Sequence, residues 1–258
     1  MSITRWAFMP RDGRLGVLRP SKREEWPGTV TGHGAGYGVL KGAIDCRNAT
    51  LAAGFSYLYA DGPYWLAAKF THLRLVCNDF WHVGGPDREA DLAAAGCVLK
   101  PWAQGDAVIV APHSANYHRL AYGEDVNEWV SGTVAELKKH TDRPIVVREK
   151  AHGRDIPRRV KSMLGAFKTA WAVVTSGSTI GVEAVCRGVP VFNTRRCASS
   201  PVALSDLSRI ESPLLPDMDE RRQWAMNLAA RQFNSTDLNS GKALRIIEED
   251  SNAYCLNL

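Results

Sequence analysis

The sequence predicts an α/β fold that contains a parallel sheet. In the second half of the chain, short apolar segments of strand length alternate with segments of helical periodicity, and turn-forming residues separate them. This alternation is typical of βα units, whose strands pair in parallel. The predicted strands cover residues 107–111, 144–148, 172–175 and 189–192, and the predicted helices cover 124–140, 156–170 and 178–187.

The first half and the tail carry further elements. The predicted strands there cover residues 4–9, 55–59 and 68–80, a predicted helix covers 39–53, and residues 86–97 are predicted as a short helix or a helical turn. A last helix begins at Asp217, because Glu220 follows at the spacing of a capping box. We therefore expect an N-terminal domain at 1–102, a second domain at 103–216 and a helical segment at 217–258 that returns to the first domain.

The composition is that of an ordinary globular protein. Hydrophobic residues make up 45% and charged residues 23% of the 258 residues, which excludes disordered, collagen-like and coiled-coil chains. No apolar run approaches the roughly 18 residues that a membrane span needs, and the N-terminus lacks the apolar core of a secretory signal. We therefore expect a cytoplasmic protein without a membrane partner.

The cysteine pattern does not predict a metal site. Six cysteines are scattered along the chain, without a C-x-x-C motif and without histidines at zinc-ligand spacing. We interpret them as reduced thiols.

Positive charge is concentrated in one segment. The net charge is +5, and ten lysines and arginines lie between residues 138 and 168, against three acidic residues. Such a run suits a polyanion, either a nucleic acid or the diphosphate of an activated substrate. The alternative is a solvated helix face.

The most specific motif is a polar turn between a predicted strand and a predicted helix. Ser176, Gly177, Ser178 and Thr179 form this turn, and Glu183 lies one helical turn further on. Backbone N–H groups and the helix dipole make such a turn a cradle for anions, and glycine permits close approach of a phosphate. Glu183 is placed to bind ribose hydroxyls. The alternative is an ordinary βαβ unit with a serine cap.

Two more polar groups follow strands that end at the same predicted sheet edge, where open α/β sheets bind ligands. Arg148 and Lys150 follow one strand and are candidates to hold phosphate groups. His113, Ser114 and Asn116 follow another and are candidate contacts to donor or acceptor. The alternatives are plain surface charges and a helix cap.

The first half offers candidates for proton transfer. Six glycines lie between residues 28 and 42, but neither G-x-G-x-x-G nor Gly-Lys-Ser/Thr occurs there, which disfavours dinucleotide-binding enzymes, nucleoside-sugar epimerases and kinases. His33 is a candidate base or donor contact. Asp61, among aromatic residues that could stack on a sugar or base, is a candidate general base. The alternatives are a turn histidine and a turn aspartate.

Several of these segments together resemble the GT-B glycosyltransferases, and in particular small, mostly phage-encoded proteins of that type. The resemblance covers about residues 28–241, and the segments that carry it are the glycine-rich stretch before Leu40-Lys41-Gly42, 59–64, 141–150, 176–190 and 224–233. The group often has arginine where this chain has Lys41.

The resemblance implies two Rossmann-like halves that face each other across a cleft, with the C-terminal helix packed back on the N-terminal half. It implies transfer from a nucleotide sugar, with UDP-sugars favoured, to a hydroxymethylated pyrimidine in phage DNA within the host cytoplasm. No cofactor or metal is expected. Gly34, Lys41 and Tyr64 would contact donor or acceptor, and Asp61 or His33 would deprotonate the acceptor.

Two alternatives remain open for the function. One is a glycosyltransferase of cell-surface or capsular glycan, and the other is a non-catalytic DNA-binding protein on the same fold. Asp217-Met-Asp219 matches the Asp-x-Asp metal signature of the other large glycosyltransferase fold. Because it follows Leu-Leu-Pro and precedes a helix, we interpret it as a helix cap.

Overall fold

The computed structural model describes residues 30, 33–39, 42–69, 71–148 and 164–254. The predicted strand at 4–9, Lys41, Lys150, the centre of the basic run and most of the predicted helix at 156–170 lie outside these residues. The described residues form two compact units. The first comprises those up to Gly96 and those from Met226 onward, and the second those between Cys97 and Ala225. The predicted domain limits stay predictions.

The strands and helices are numbered along the chain. The strands are β1 Gly34–Tyr37, β2 Tyr57–Asp61, β3 His72–Cys77, β4 Ala107–Ala111, β5 Ile145–Val147, β6 Ala170–Thr175, β7 Val191–Asn193 and β8 Gln232–Asn234. The helices are α1 Ala43–Ala52, α2 Ala115–Tyr117, α3 Val126–Leu137, α4 Ile180–Cys186, α5 Met218–Ala229, α6 Ser235–Asn239 and α7 Lys242–Tyr254. A π-helical turn, His118–Tyr122, follows α2 directly. This mixture of sheets and helices confirms the predicted α/β class.

The first unit contains a mixed sheet of strand order β1-β2-β3-β8. β1 and β2 are parallel, whereas β2 with β3 and β3 with β8 are antiparallel. Helix α1 provides the crossover that two parallel strands need, but only residues 62–71 separate β2 from β3, which is too short for a crossover. The described sheet therefore differs from the parallel sheet of a Rossmann-like half.

The described part of the glycine-rich stretch forms strand β1, Gly34–Tyr37. Gly34 and Gly36 lie in β1 beside Tyr57 of the neighbouring strand. A Cβ on Gly34 would lie 2.7 Å from Oγ1 of Thr50, and a Cβ on Gly36 would collide with the Tyr57 hydroxyl. These two glycines are needed for close packing inside the first unit.

The tail of the chain completes the core of the first unit. β8 adds the fourth strand, and Ala243 and Ile247 of α7 pack on the buried side chains of Leu75 and Phe233. Removing a large apolar side chain from water contributes about 1.5–3 kcal/mol. The last strand and helix are therefore structural parts of the first unit.

The second unit contains a parallel sheet of strand order β5-β4-β6-β7. Its central strands are apolar along their whole length, as expected for strands covered on both faces. Val108, Val110, Ala172 and Val174 have no exposed surface, and Leu137 of α3 packs on them. This sheet positions the predicted phosphate-binding turn.

Two predictions about the connections are confirmed. Residues 86–97 contain the helical turn that was one of their two interpretations, in which the N–H of Ala95 donates to the carbonyl oxygen of Asp91 and Gly96 ends the turn at a φ of 82°. The capping box is present, because Oδ1 of Asp217 accepts from the N–H of Glu220 at 2.8 Å and Oε2 of Glu220 accepts from the N–H of Asp217 at 3.1 Å. Among the described residues, no helix is both long and apolar enough to cross a membrane.

Candidate functional site

The strand order of the second sheet reverses between β4 and β6. The chain runs from β4 to β5 on one side and from β6 to β7 on the other, so the connections that leave neighbouring strands run in opposite directions. Open α/β sheets bind ligands outside the carboxyl ends of their strands at such a point. The segments that leave these two ends meet here, because the N–H of His113 donates 2.9 Å to Oγ of Ser176.

The turn after β6 is largely buried. Ser176 has no exposed surface and Ser178 is 7% exposed. The N–H of Ser178 donates to Oγ1 of Thr175 at 3.3 Å, and the N–H of Ile180 donates to Oγ of Ser178 at 3.4 Å. These bonds hold the turn in place, so the hydroxyls of Ser176 and Ser178 are already engaged within the protein.

Two donors of this turn remain available. The N–H groups of Gly177 and Thr179 make no hydrogen bond within the described part of the chain. Gly177 is a buried residue, and unpaired backbone N–H groups are rare in protein interiors. Helix α4 has seven residues, so attraction of an anion to this turn would come mainly from these N–H groups.

Gly177 has a packing role that the sequence motif did not indicate. Its φ is 97°, which disfavours residues with a Cβ, and a Cβ there would lie 2.9 Å from Oη of Tyr122 and 3.6 Å from Cβ of Arg195. One side of the glycine is therefore covered by protein. The Tyr122 hydroxyl also donates to the carbonyl oxygen of Ser176 at 2.9 Å.

A buried histidine lies behind the turn. Nε2 of His118 is 2.8 Å from Oγ of Ser176, and its Nδ1 is 3.0 Å from Oε1 of Glu124. Glu124 also accepts a 2.9 Å hydrogen bond from Nη2 of Arg195. The sequence analysis missed His118, Glu124 and Arg195. A histidine six residues before a glutamate in an apolar segment was the available signal, but only the fold brings this pair to Ser176.

Glu183 is on α4 as predicted, but its side chain is buried. It is 4% exposed, and its Oε2 accepts a 3.2 Å hydrogen bond from Nε of Arg187 one turn along the helix. The carboxylate is thus part of an ion pair on its own helix. Its role in ribose binding stays a prediction.

Arg148 lies at the carboxyl edge of the parallel sheet. Its N–H donates 2.8 Å to the carbonyl oxygen of Val110 in β4, and its side chain is exposed. The guanidinium is therefore accessible to a ligand at this edge. Arg195 follows β7 at the same edge and is 46% exposed despite its bond to Glu124.

The segment after β4 forms a helix cap, which the sequence analysis gave as the alternative to ligand binding. Oγ of Ser114 accepts from the N–H of Tyr117 at 3.3 Å, which makes Ser114 the N-cap of α2. The His113 ring stacks on Tyr117 at 3.8 Å, and its Nδ1 accepts from the N–H of Ser114 at 2.8 Å. Asn116 is exposed. Ligand contacts by His113, Ser114 and Asn116 stay predictions.

Asp61 lies at the end of β2 in the first unit. Its Oδ2 accepts from the Tyr59 hydroxyl and from Nη2 of Arg74, each at 2.7 Å, and its Oδ1 accepts from the N–H of Gly62 at 2.7 Å. A carboxylate accepts about four hydrogen bonds, and 31% of this side chain is exposed. Asp61 therefore retains room to accept one from a substrate hydroxyl.

The other candidates of the first unit are less suited to the predicted roles. Nδ1 of His33 accepts a 2.9 Å hydrogen bond from the N–H of Ser56, so its proton lies on Nε2 and the ring is a donor rather than a base at that nitrogen. Tyr64 is 1% exposed, too deeply buried to stack on a ligand in this conformation. Burial raises the pKa of Tyr64 to about 12, although Arg74 acts to lower it.

Comparison with known proteins adds no family. No protein-family model matches the chain, and no curated protein matches it.

Among the described residues no group of three or more histidine, cysteine or acidic side chains could hold a metal ion. Five cysteines in that part of the chain are free thiols: Cys46, Cys77, Cys97, Cys186 and Cys197.

Proposed function

We propose that the protein is a glycosyltransferase that binds the diphosphate of a nucleotide sugar at the carboxyl edge of the parallel sheet. The observation that carries the proposal is the pair of available N–H groups on Gly177 and Thr179 at the strand-order reversal. Unpaired backbone N–H groups suit phosphate oxygens. The exposed guanidinium of Arg148 at the same edge adds a charge that can hold a phosphate in two hydrogen bonds.

The proposed reaction uses these groups to stabilise the leaving diphosphate. The acceptor hydroxyl oxygen attacks the anomeric carbon, the bond from that carbon to the diphosphate oxygen breaks, and the diphosphate leaves with its charge held by the turn and by Arg148 and Lys150. The hydroxyl proton passes to Asp61, whose carboxylate retains room to accept a hydrogen bond. The proposal includes the two-domain arrangement of GT-B enzymes, in which donor and acceptor bind different domains.

The proposed acceptor is a hydroxymethyl group on a pyrimidine in DNA. The support is the concentration of positive charge between residues 138 and 168, which suits a polyanion. A base within a duplex would have to leave the stack to reach the site. A saccharide acceptor is the alternative that the transfer experiment below distinguishes.

Donor binding is tested first, by thermal unfolding with UDP, GDP, CDP, TDP and their sugar conjugates. A ligand at about 100 times its Kd stabilises the protein by roughly 2.7 kcal/mol, and each kcal/mol raises Tm by about 2–4 °C in a chain of this size. We expect such a shift with one nucleoside diphosphate. Arg148→Ala should abolish it. Arg222→Ala, which removes an exposed arginine of α5, should leave it intact.

Sugar transfer is then tested by mass spectrometry of the acceptor. DNA with hydroxymethylcytosine is compared with unmodified DNA of the same sequence and with oligosaccharides, each with and without EDTA. We expect a hexose or pentose mass on the hydroxymethylated DNA alone, with or without EDTA. Transfer to a saccharide would refute the DNA acceptor. DNA binding without nucleotide binding or transfer would refute the enzyme and favour the non-catalytic DNA-binding protein.

A further inference from the structure

A chain of hydrogen bonds runs through the interior of the second unit to the phosphate-binding turn. It begins at Arg195, passes through both carboxylate oxygens of Glu124, continues through both ring nitrogens of His118 and ends at Oγ of Ser176. His118 and Ser176 have no exposed surface. Water therefore cannot compete for the hydrogen bond between His118 and Ser176.

The chemistry of the groups fixes the direction of each bond. An ionised glutamate only accepts hydrogen bonds, and Glu124 accepts from Arg195 at its other oxygen. Nδ1 of His118 must therefore carry the proton. In the neutral ring Nε2 is then an acceptor, so the hydroxyl of Ser176 donates to it. The same hydroxyl oxygen accepts from the N–H of His113.

The surroundings of His118 favour this neutral ring. Burial lowers the pKa of His118 below 6.5, and Arg195 adds to the lowering, while the opposing effects of Glu124 and Asp125 are smaller. The rings of Tyr122 in the same π-helical turn and of Trp129 in α3 each lie 5.5 Å from the His118 ring and carry no charge. The histidine is therefore held in one tautomer.

This arrangement is similar to a Ser-His-acid catalytic triad, but it lacks the access that a nucleophile needs. Oγ of Ser176 is buried, and it is engaged by His118 and by the N–H of His113. A substrate carbon could not reach it without displacing both. The hydrogen bonds with His118 and His113 instead hold Ser176 in place. Ser176 directly precedes Gly177, and the N–H group of Gly177 is available.

We propose that His118 is a positioning residue for phosphate binding: by accepting a hydrogen bond from the Ser176 hydroxyl at Nε2, it holds the turn so that the N–H groups of Gly177 and Thr179 face an anionic phosphate group. This inference rests on the proposed donor site, but not on the identity of the sugar or of the acceptor. It assigns a role to His118 that requires no contact with the ligand.

Two substitutions separate the two bonds of the histidine. In His118→Gln the side-chain oxygen can replace Nε2 as the acceptor for Ser176, while the contact to Glu124 is lost. In His118→Asn the amide can replace the Nδ1–H donor to Glu124, while the contact to Ser176 is lost. His140→Gln is the matched control, since His140 bonds to Glu136 on the surface of α3.

The binding assay uses inorganic pyrophosphate and UDP as probes, measured by titration calorimetry at pH 8. We expect His118→Asn to weaken both by about tenfold, the scale of one lost hydrogen bond in a buried network. His118→Gln should stay within about threefold of the unchanged protein, and His140→Gln should not differ from it. Equal losses in the asparagine and glutamine variants would overturn the proposal, because a purely structural histidine would be affected by either.

Nitrogen NMR of His118 gives a second readout that needs no ligand. We expect a proton on Nδ1, a hydrogen-bonded acceptor shift on Nε2, and a pKa below 6.5. His118→Asn should shift the amide signals of Gly177 and Thr179 more than His118→Gln does. A proton on Nε2, or unchanged amide signals in His118→Asn, would refute the positioning role even if both variants fold poorly.

The outcomes separate this inference from the proposed function. Equal weakening of probe binding in His118→Asn and His118→Gln refutes the positioning role and leaves sugar transfer standing. Intact probe binding with no sugar transfer refutes the glycosyltransferase and leaves the positioning role standing. Absence of probe binding in the unchanged protein refutes both. Covalent labelling of Ser176 by a fluorophosphonate would show an accessible nucleophile and overturn the inference.

Discussion

Nη2 of Arg74 donates a 2.7 Å hydrogen bond to Oδ2 of Asp61, and only 4% of the Arg74 side chain is exposed. The guanidinium also donates 2.6 Å to the carbonyl oxygen of Gly62 and lies 4.5 Å from the centre of the Trp81 ring. Asp61 therefore compensates the charge of a buried arginine, in addition to its proposed role as a base.

Asp61→Asn should consequently lower both stability and transfer. We expect a loss of about 2 kcal/mol in the free energy of unfolding, below the 3–5 kcal/mol of a fully buried pair because Asp61 is partly exposed. Denaturant unfolding measures it, and the double variant with Arg74→Met should lose less than the sum of the single variants. Nucleotide binding should survive in Asp61→Asn while transfer is lost. Additive losses of unfolding free energy in the double variant would contradict an energetic coupling between Asp61 and Arg74.

Gly36→Ala should destabilise the first unit, because its Cβ would collide with the Tyr57 hydroxyl. Overpacking of this kind costs about 1–3 kcal/mol. Tyr57→Phe removes the obstructing oxygen, so adding it to Gly36→Ala should recover part of the loss in denaturant unfolding. Gly132→Ala, on an exposed part of α3 with free space around the Cβ, should gain about 0.5–1 kcal/mol. Equal changes in the free energy of unfolding for Gly36→Ala and Gly132→Ala would refute the packing argument.

Asp217→Ala tests the helix cap against metal binding. Loss of the N-cap of α5 should cost about 1 kcal/mol in the free energy of unfolding, and Asp217→Asn should lose much less, since its side-chain oxygen can still accept from the N–H of Glu220. Any sugar transfer should stay equal with and without manganese in both variants. A manganese requirement that disappears in Asp217→Ala would show that the motif binds metal.

His82 should make the stability of the first unit depend on pH. Burial lowers its pKa from 6.5 to about 3, and Arg231 and Arg88 add to this; among the described residues Nε2 of His82 has no hydrogen-bond partner. As the pH falls, His82 is protonated in the unfolded chain before it is protonated in the folded protein. The stabilisation present above pH 6.5 is therefore lost as the pH falls towards 3.

The loss should approach about 1.4 kcal/mol per pH unit below 6.5. His82→Phe, which cannot gain charge, should have a smaller slope of unfolding free energy between pH 7 and 5. Gly132→Ala, which changes no titratable group, serves as the control and should keep the slope of the unchanged protein. Identical slopes in all three proteins would contradict a buried, neutral His82.

The central strands of the second sheet, β4 and β6, were predictable because burial on both faces makes them almost entirely apolar. Residues 107–111 form β4 as predicted, and the predicted strands at 144–148, 172–175 and 189–192 overlap β5, β6 and β7. The first sheet was less predictable. β1 contains glycines that are explained only by the packing of Thr50 and Tyr57 against them, and β8 pairs with β3 from more than 150 residues further along the chain.

Local sequence alone determined the α/β class, the buried strands, the cap at Asp217 and the polar turn at 176–179, because each depends on the periodicity or backbone chemistry of neighbouring residues. Tertiary structure decided that Ser176 faces His118, that Glu183 is buried, and that Asp61 binds Arg74. A side chain's burial and partners depend on which distant segment packs against it, and the hydrogen bonds already made within the protein decide which groups remain for a ligand.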